Sequence, residues 1–231
     1  MRDPVVLELP FAGRWLVQNS PARRVPSHGV DVLGQRYAID FVAVDERGRT
    51  ARIRDRATVF GTEPPERFAA FGLPILAPVS GRVVRVHDGE PDHAARRSPL
   101  ALTAYALGQA GRLRAGPDAV AGNHVLVRDA ASGALVALAH LRRGSLLVGV
   151  GDEVEAGRPV ASCGNSGNST QPHLHLQAMD DADLAVGAGL PILFRRFREL
   201  RRRHGRPVDR ETGLPDERSV VEPLPPARSS P

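Results

Sequence analysis

The stretch VGDEVEAGRPVASCGNSGNSTQPHLHLQ, residues 150–177, carries three kinds of local signal in one line. Gly151-Asp152 and Ala156-Gly157 are hairpin turn dipeptides around short apolar runs. GNSGNSTQP is a loop text, and HLHLQ then alternates polar with apolar. Side chains on a strand alternate between faces, so His173 and His175 project from one face, roughly 7 Å apart at ~3.3 Å per residue, while Leu174 and Leu176 take the other. Two readings are open at this point. Either both imidazoles face solvent over a leucine-lined core, or the loop before them shapes the edge of a cleft and the pair shares a site.

Working outward, short β-branched and aliphatic runs recur between Gly, Pro, Asn and Asp: RYAIDFVAV, ILAPVSGRVVRV, NHVLVRD, ALVALAHL, RPVASCG and HLHLQAM. This spacing predicts a mostly β fold, an antiparallel sheet or sandwich-like core with short helices. Helical pattern is expected in residues 56–72 and in the basic segment from Ile192 to Arg203, which includes FRRFRELRRRH. Residues 1–24 read as an N-terminal extension packing on the core, 25–190 as the main β domain, and 191–231 as a basic helix and a Pro-rich, disordered tail. Residues 88–121 read as an insertion with one short helix and no chemistry. Pro78 and Gly81 bracket a turn that also resembles biotinyl and lipoyl carrier hairpins, but such a carrier needs an acceptor lysine and the chain has none.

All 31 basic residues are arginine, which excludes any chemistry that needs a lysine amine. Arginine excess suits anion recognition, yet arginine and alanine enrichment without lysine is equally a matter of composition, and no nucleic-acid partner is expected. With Cys163 the single cysteine, an intrachain disulfide and a cysteine-rich zinc site are both excluded, so a metal site must use histidine and carboxylate. MRDPVVLELPFAGRW lacks the long apolar centre of a secretory signal, and no 18-residue apolar stretch offers a membrane span. As written the chain reads as cytoplasmic, with the cell envelope its place if another route exports it or if the start site is misassigned; a monomer is expected.

Two distant residues suit a site at HLH. Asp40 shares its strand face with Ala38 and Val42, and an acid there is costly unless it is paired or holds a cation. A bend or an arginine partner would also satisfy it. His140 lies in the strand-like run LVALAHL, and an imidazole for proton work beside imidazole ligands would make it intelligible.

LAHL at His140, followed by GDEVEAGRPVASCGNSGNSTQPHLHLQ, resembles the lysostaphin-type (LytM-like) zinc endopeptidases of peptidoglycan, whose pattern runs Tyr-x-His-Leu, Gly-Asp-x-Val-x-x-Gly, Gly-x-x-Gly-x-Ser/Thr and Pro-His-Leu-His. The likeness spans roughly residues 25–180, with APVSGRVV as the hairpin entering the sheet. It implies one zinc ion per chain, held by His175 and Asp40, with His173 as general base toward the water at the metal and His140 orienting that water or steadying the transition state. The implied reaction is hydrolysis of a peptide cross-link or stem of the bacterial cell wall.

The sequence departs from that family at the remaining ligand. The family pattern is H-x-x-x-D, but Arg36 stands four residues before Asp40, and a guanidinium offers only donors. His28, in the Pro- and Gly-flanked VPSHGVD, is the expected substitute, in a subgroup with a Q-R-Y-A-x-D-F phrase. Asp31 is an alternative ligand or a partner for a ligand histidine, and His124 a weaker candidate near the cleft. His87, His93 and His204 are expected at the surface. Arg36, Asn165, Ser166 and Asn168 are candidate contacts for an extended peptide, although turn chemistry explains the asparagines and serine equally well. A catalytically degenerate relative that binds wall peptide or regulates another hydrolase is the rival reading, and Arg36 favours it.

Overall fold

The run LVALAHL becomes a strand buried along its whole length, and the sheet is built outward from it. The computed structural model describes residues 2–107, 111, 114, 116–200 and 206–225. In chain order the strands are β1 Val5–Leu7, β2 Trp15–Gln18, β3 Ile39–Ala43, β4 Pro74–Leu76, β5 Gly81–His87, β6 Asn123–Asp129, β7 Leu135–Leu141, β8 Glu153–Val154, β9 Pro159–Ser162, β10 Leu174–Met179, β11 Gly189–Leu190, β12 Ile192–Leu200, β13 Val208–Gly213 and β14 Val220–Pro223. Helices among the described residues are short: α1 Arg56–Phe60, α2 Pro99–Leu107 and α3 Pro117–Ala121. The fold is mostly β, as the alternation predicts.

One large sheet runs β1-β12-β14-β2-β3-β10-β7-β6-β5-β8, and β4 with β9 forms a small separate one. All its pairings are antiparallel except β1 with β12. Ile39 and Phe41, Val136 and Leu138, and Leu174 and Leu176 fill one face with Phe11, Trp15 and Phe194. The opposite face of the same strands carries a smaller cluster of Leu126, Leu135, Ala137, Met179 and Leu184. Residues buried on both faces leave only a narrow window for polar side chains, and it lies over β3, β10 and β7.

Two expectations are corrected. Ile192–Leu200 is a strand, not a basic helix. Phe194 and Phe197 are both fully buried, and the three-residue step between them imitates a helical repeat; φ is 53° at Arg196, where the parity of buried residues changes. The rest of the basic run, at 201–205 with His204, lies outside the described residues, as does the tail at 226–231. Between them, β13 and β14 extend the sheet, so that part of the expected tail is ordered strand.

The 88–121 insertion is the second correction, since it is built into the rest of the molecule. It carries both α2 and α3. Asn168 N donates to Val120 O (2.9 Å), the His93 Nε2–H donates to Gly167 O (2.8 Å), and Asn165 Nδ2 donates to His93 O (2.6 Å). His93 is therefore a strut between the insertion and the loop that leads into β10. No helix among the described residues is long and apolar enough to cross a membrane.

Candidate metal centre

Strand register brings the first two candidate ligands together. Asp40 on β3 pairs directly with His175 on β10, which pairs in turn with Ala139 on β7. Residues opposite each other in an antiparallel pair have Cβ atoms about 5 Å apart, and here His175 Nδ1 lies 2.9 Å from Asp40 Oδ1. His28 arrives from the loop before β3. Ser27 N donates to Arg36 O (3.1 Å), Arg24 Nε donates to Ser27 O (3.1 Å), and the fold-back sets His28 Nε2 3.1 Å from Asp40 Oδ2. Gly34 permits this approach: its φ is 71°, and a Cβ there would meet Gln177 Nε2 at 2.9 Å. One ligand atom from each of His28, Asp40 and His175 lies within 4.8 Å of the others, which fits two imidazoles and a carboxylate around one small cation.

Each ring has its second nitrogen committed elsewhere. His28 Nδ1 lies 3.0 Å from Ser27 Oγ, which donates to Gln35 O, so Nδ1 is the protonated nitrogen when Nε2 is a ligand. His175 Nε2 meets Gln177 Oε1 at 3.0 Å, and Gln177 Nε2 donates to Leu33 O at 2.8 Å, which fixes the amide orientation and makes His175 Nε2 the protonated nitrogen when Nδ1 is a ligand. Asn19 Nδ2 donates to Asp40 Oδ2 at 2.8 Å. Outer partners of this kind set tautomer and ligand basicity.

Burial works against the Asp40 charge, but His28 and His173, with hydrogen bonds from His175 and His28, outweigh it and hold the carboxyl well below its ordinary range. The same pairing pulls His175 upward against its own burial. Burial lowers His173 and pushes His140 well down, with the neighbouring imidazoles adding to the effect on His140, so both present neutral rings at pH 7. His140 donates Nδ1–H to Ser166 O (3.0 Å), and His173 Nδ1–H meets Gln171 O (2.8 Å) with Ser169 Oγ nearby (3.0 Å). Both are left with an Nε2 lone pair. The His140 and His173 ring centroids are 4.7 Å apart, and His173 Nε2 lies 3.7 Å from Asp40 Oδ1.

His140 reaches this face through a defect in the strand. Simple alternation groups residue 140 with Val136 and Leu138 on the core face. The β6–β7 register shifts between Asn123 and Val125, and His140 has φ 60°, which turns its side chain to the cleft and sends Leu141 into the core. Bulges re-aim side chains in this way.

The cleft is lined by His28, Asp40, His140, His173 and His175 together with Asn19, Asn168, Thr170 and Gln177. His124 lines it too, while Asn168 alone of the three candidate loop contacts does so. Asn165 and Ser166 are fully buried and serve the loop: Asn165 Oδ1 accepts from Ser169 Oγ, and Ser166 Oγ donates to Leu141 O. Arg36 pairs with Asp31 on the surface and is not part of the cleft lining. Sequence reasoning missed Asn19, Ser27 and Gln177. Of these, Gln177 sits on the His173 and His175 face at the next alternate position and was open to detection.

Residues 92–186 match the family model described as Peptidase family M23. The M23 match takes in His140, His173 and His175 and lies downstream of His28 and Asp40. Among solved structures, the catalytic domain of the antimicrobial peptidase lysostaphin from Staphylococcus simulans is 17% identical over 70% of this chain and 86% of that one, with a TM-score of 0.38. The solution structure of lysostaphin is 20% identical over 65% of this chain but only 39% of that one (TM-score 0.36). Pseudoalterin, a deep-sea M23 metalloprotease, is 13% identical over 93% of this chain and all of that one (TM-score 0.45).

Proposed function

We propose that this chain is a zinc-dependent endopeptidase acting on peptide cross-links or stems of peptidoglycan. The observation that carries the reading is the convergence of His28, Asp40 and His175 within 4.8 Å beside two further imidazoles whose Nε2 atoms are unprotonated. Three protein ligands are the number that a hydrolytic zinc site uses, with a position left open. Bound there, zinc supplies a Lewis acid and acidifies water toward neutral pH.

This chain's own residues supply proton handling and orientation. His173 Nε2 is the base that takes a proton from the attacking water and returns it to the leaving amine. Its Nδ1–H bond to Gln171 O steadies the imidazolium between those events. His140, kept neutral by burial, orients the water by accepting from it at Nε2, and donates to an oxyanion only after taking up a proton. Asn168 and Thr170 are placed on the rim to meet an extended backbone.

The second reading, a peptide-binding relative without hydrolytic activity, rests on Arg36 standing where the family pattern has histidine. One experiment separates the two. The purified chain is expected to hold one zinc per molecule and to cleave peptidoglycan fragments, with His28→Ala losing both. Zinc content near zero in the native chain, or unchanged in His28→Ala, refutes the ligand assignment; full zinc with no cleavage supports the second reading.

A further inference from the structure

The cleft-side apolar cluster does not stop at the sheet. One row along from Asp40–His175–Ala139, the register places Gln177, Ala137 and Leu126 side by side, so Ala137 floors the cleft roughly 7 Å from the metal row. Val120 and Ala121 of α3 stand on one side of this floor and Leu184 on another, and all line the cleft. Ala121, Ala137 and Leu184 belong to the same packed cluster.

The two walls are tied together by one side chain. Arg85 on β5 gives NH2 to both oxygens of Asp118 in α3 (2.6 and 2.8 Å) and NH1 to Ala182 O in the loop that carries Leu184 (3.4 Å). α3 is further pinned at Gly122, where φ is 65° and a Cβ would meet Ser166 Oγ at 2.5 Å. The recess is therefore built to a fixed width. Ala137 and Leu184 are only 3% and 4% exposed, so a small part of each is open to the cleft. On β6, His124 lines the cleft opposite the Ala139–His140 bulge, with Nδ1–H given to Gly122 O and a buried Nε2 that has no hydrogen bond and lies 3.7 Å from Asp118 Oδ1. A carboxylate brought against the apolar walls would lose its water without gaining a donor from them.

The geometry points to a side-chain subsite for a small, uncharged aliphatic residue of the peptide substrate, floored by Ala137, walled by Val120, Ala121 and Leu184, and held to width by Arg85. This deepens the peptidase reading and rests on it for the word substrate. Arg85 is a positioning residue, since it touches both walls and is not itself in the lining.

The test measures binding by calorimetry to the full chain, with chelator present to prevent turnover. The probes are pentaglycine and its variants with a central L-valine, D-valine or L-glutamate. The better valine peptide is expected to bind about 10-fold to 100-fold more tightly than pentaglycine, the range that a few methylenes give in a shaped apolar pocket, and the glutamate peptide no more tightly than pentaglycine. Ala121→Leu, at a half-buried position, fills the recess, and Arg85→Leu releases its walls. Each is expected to bring the preference below about threefold while zinc content, measured separately, is unchanged. A native chain that binds the peptides equally, or a preference surviving in both variants, overturns the subsite. Loss of the subsite with zinc retained leaves the peptidase reading standing; a preference in a chain that takes no zinc supports the subsite and removes the metal.

Discussion

Gln177→Leu removes an amide whose oxygen faces His175 Nε2, the ring nitrogen turned away from Asp40, and whose nitrogen is given to Leu33 O. In the native structure Gln177 Oε1 accepts from His175 Nε2 at 3.0 Å, both residues are buried, and the amide is locked by its bond to Leu33 O. Leucine is of similar size, so packing changes little. The ligand form of His175, however, loses a buried hydrogen bond of roughly 1–1.5 kcal/mol, and the ring loses the partner that kept its proton on Nε2 and left Nδ1 bare. Together these predict a zinc Kd about tenfold weaker, at the lower end of the 10- to 100-fold that outer partners of metal ligands usually cost. Titration against a competing chromophoric chelator reads this directly, and a thermal melt of the metal-free variant confirms that the fold is kept. A Kd within a factor of two of native, in a folded variant, would show that Gln177 does not govern the ligand tautomer and would sink the argument.

Gly122→Ala is expected to destabilise the chain by roughly 1–3 kcal/mol, because φ is 65° there and the new Cβ would strike Ser166 Oγ and Gly167 N; urea unfolding with no change in midpoint would contradict the packing of α3 on the loop. A separate expectation concerns acid. Glu63 takes two bonds from Arg97 (2.6 and 2.7 Å) and one from Thr58, and these hold its carboxyl below the ordinary value. The sign follows: its stabilising contribution is full above the unfolded-state pKa near 4.5 and is lost as pH falls through the lower folded value. Glu63→Gln should flatten the fall in stability between about pH 5 and 3, and an acid limb identical to native would rule this group out as its source.

Alternation in the sequence was enough to group His173 with His175 and Asp40 with Ala38 and Val42, because His175 and Asp40 lie in unbroken strand with His173 and Ala38 next to its ends. Their meeting was not legible, since register between β3 and β10 depends on pairing across 135 residues. His28 could be nominated only by elimination around Arg36; what brings it home is a loop held by backbone bonds and by the absence of a Cβ at Gly34. The misread at Ile192–Leu200 has the same origin as the hidden aim of His140. In each place a positive φ breaks the two-residue period, and periodicity is the signal that sequence reasoning depends on.

The backbone at His140 has a further consequence. A non-glycine residue in the left-handed region costs about 1–2 kcal/mol, and here it interrupts a strand that is buried along its whole length. Folding alone would prefer glycine or asparagine at that position, so the chain carries at its centre a residue that the architecture would rather not have. Selection for stability alone would erase it, and the proposed role of its imidazole in the cleft supplies a reason to keep it.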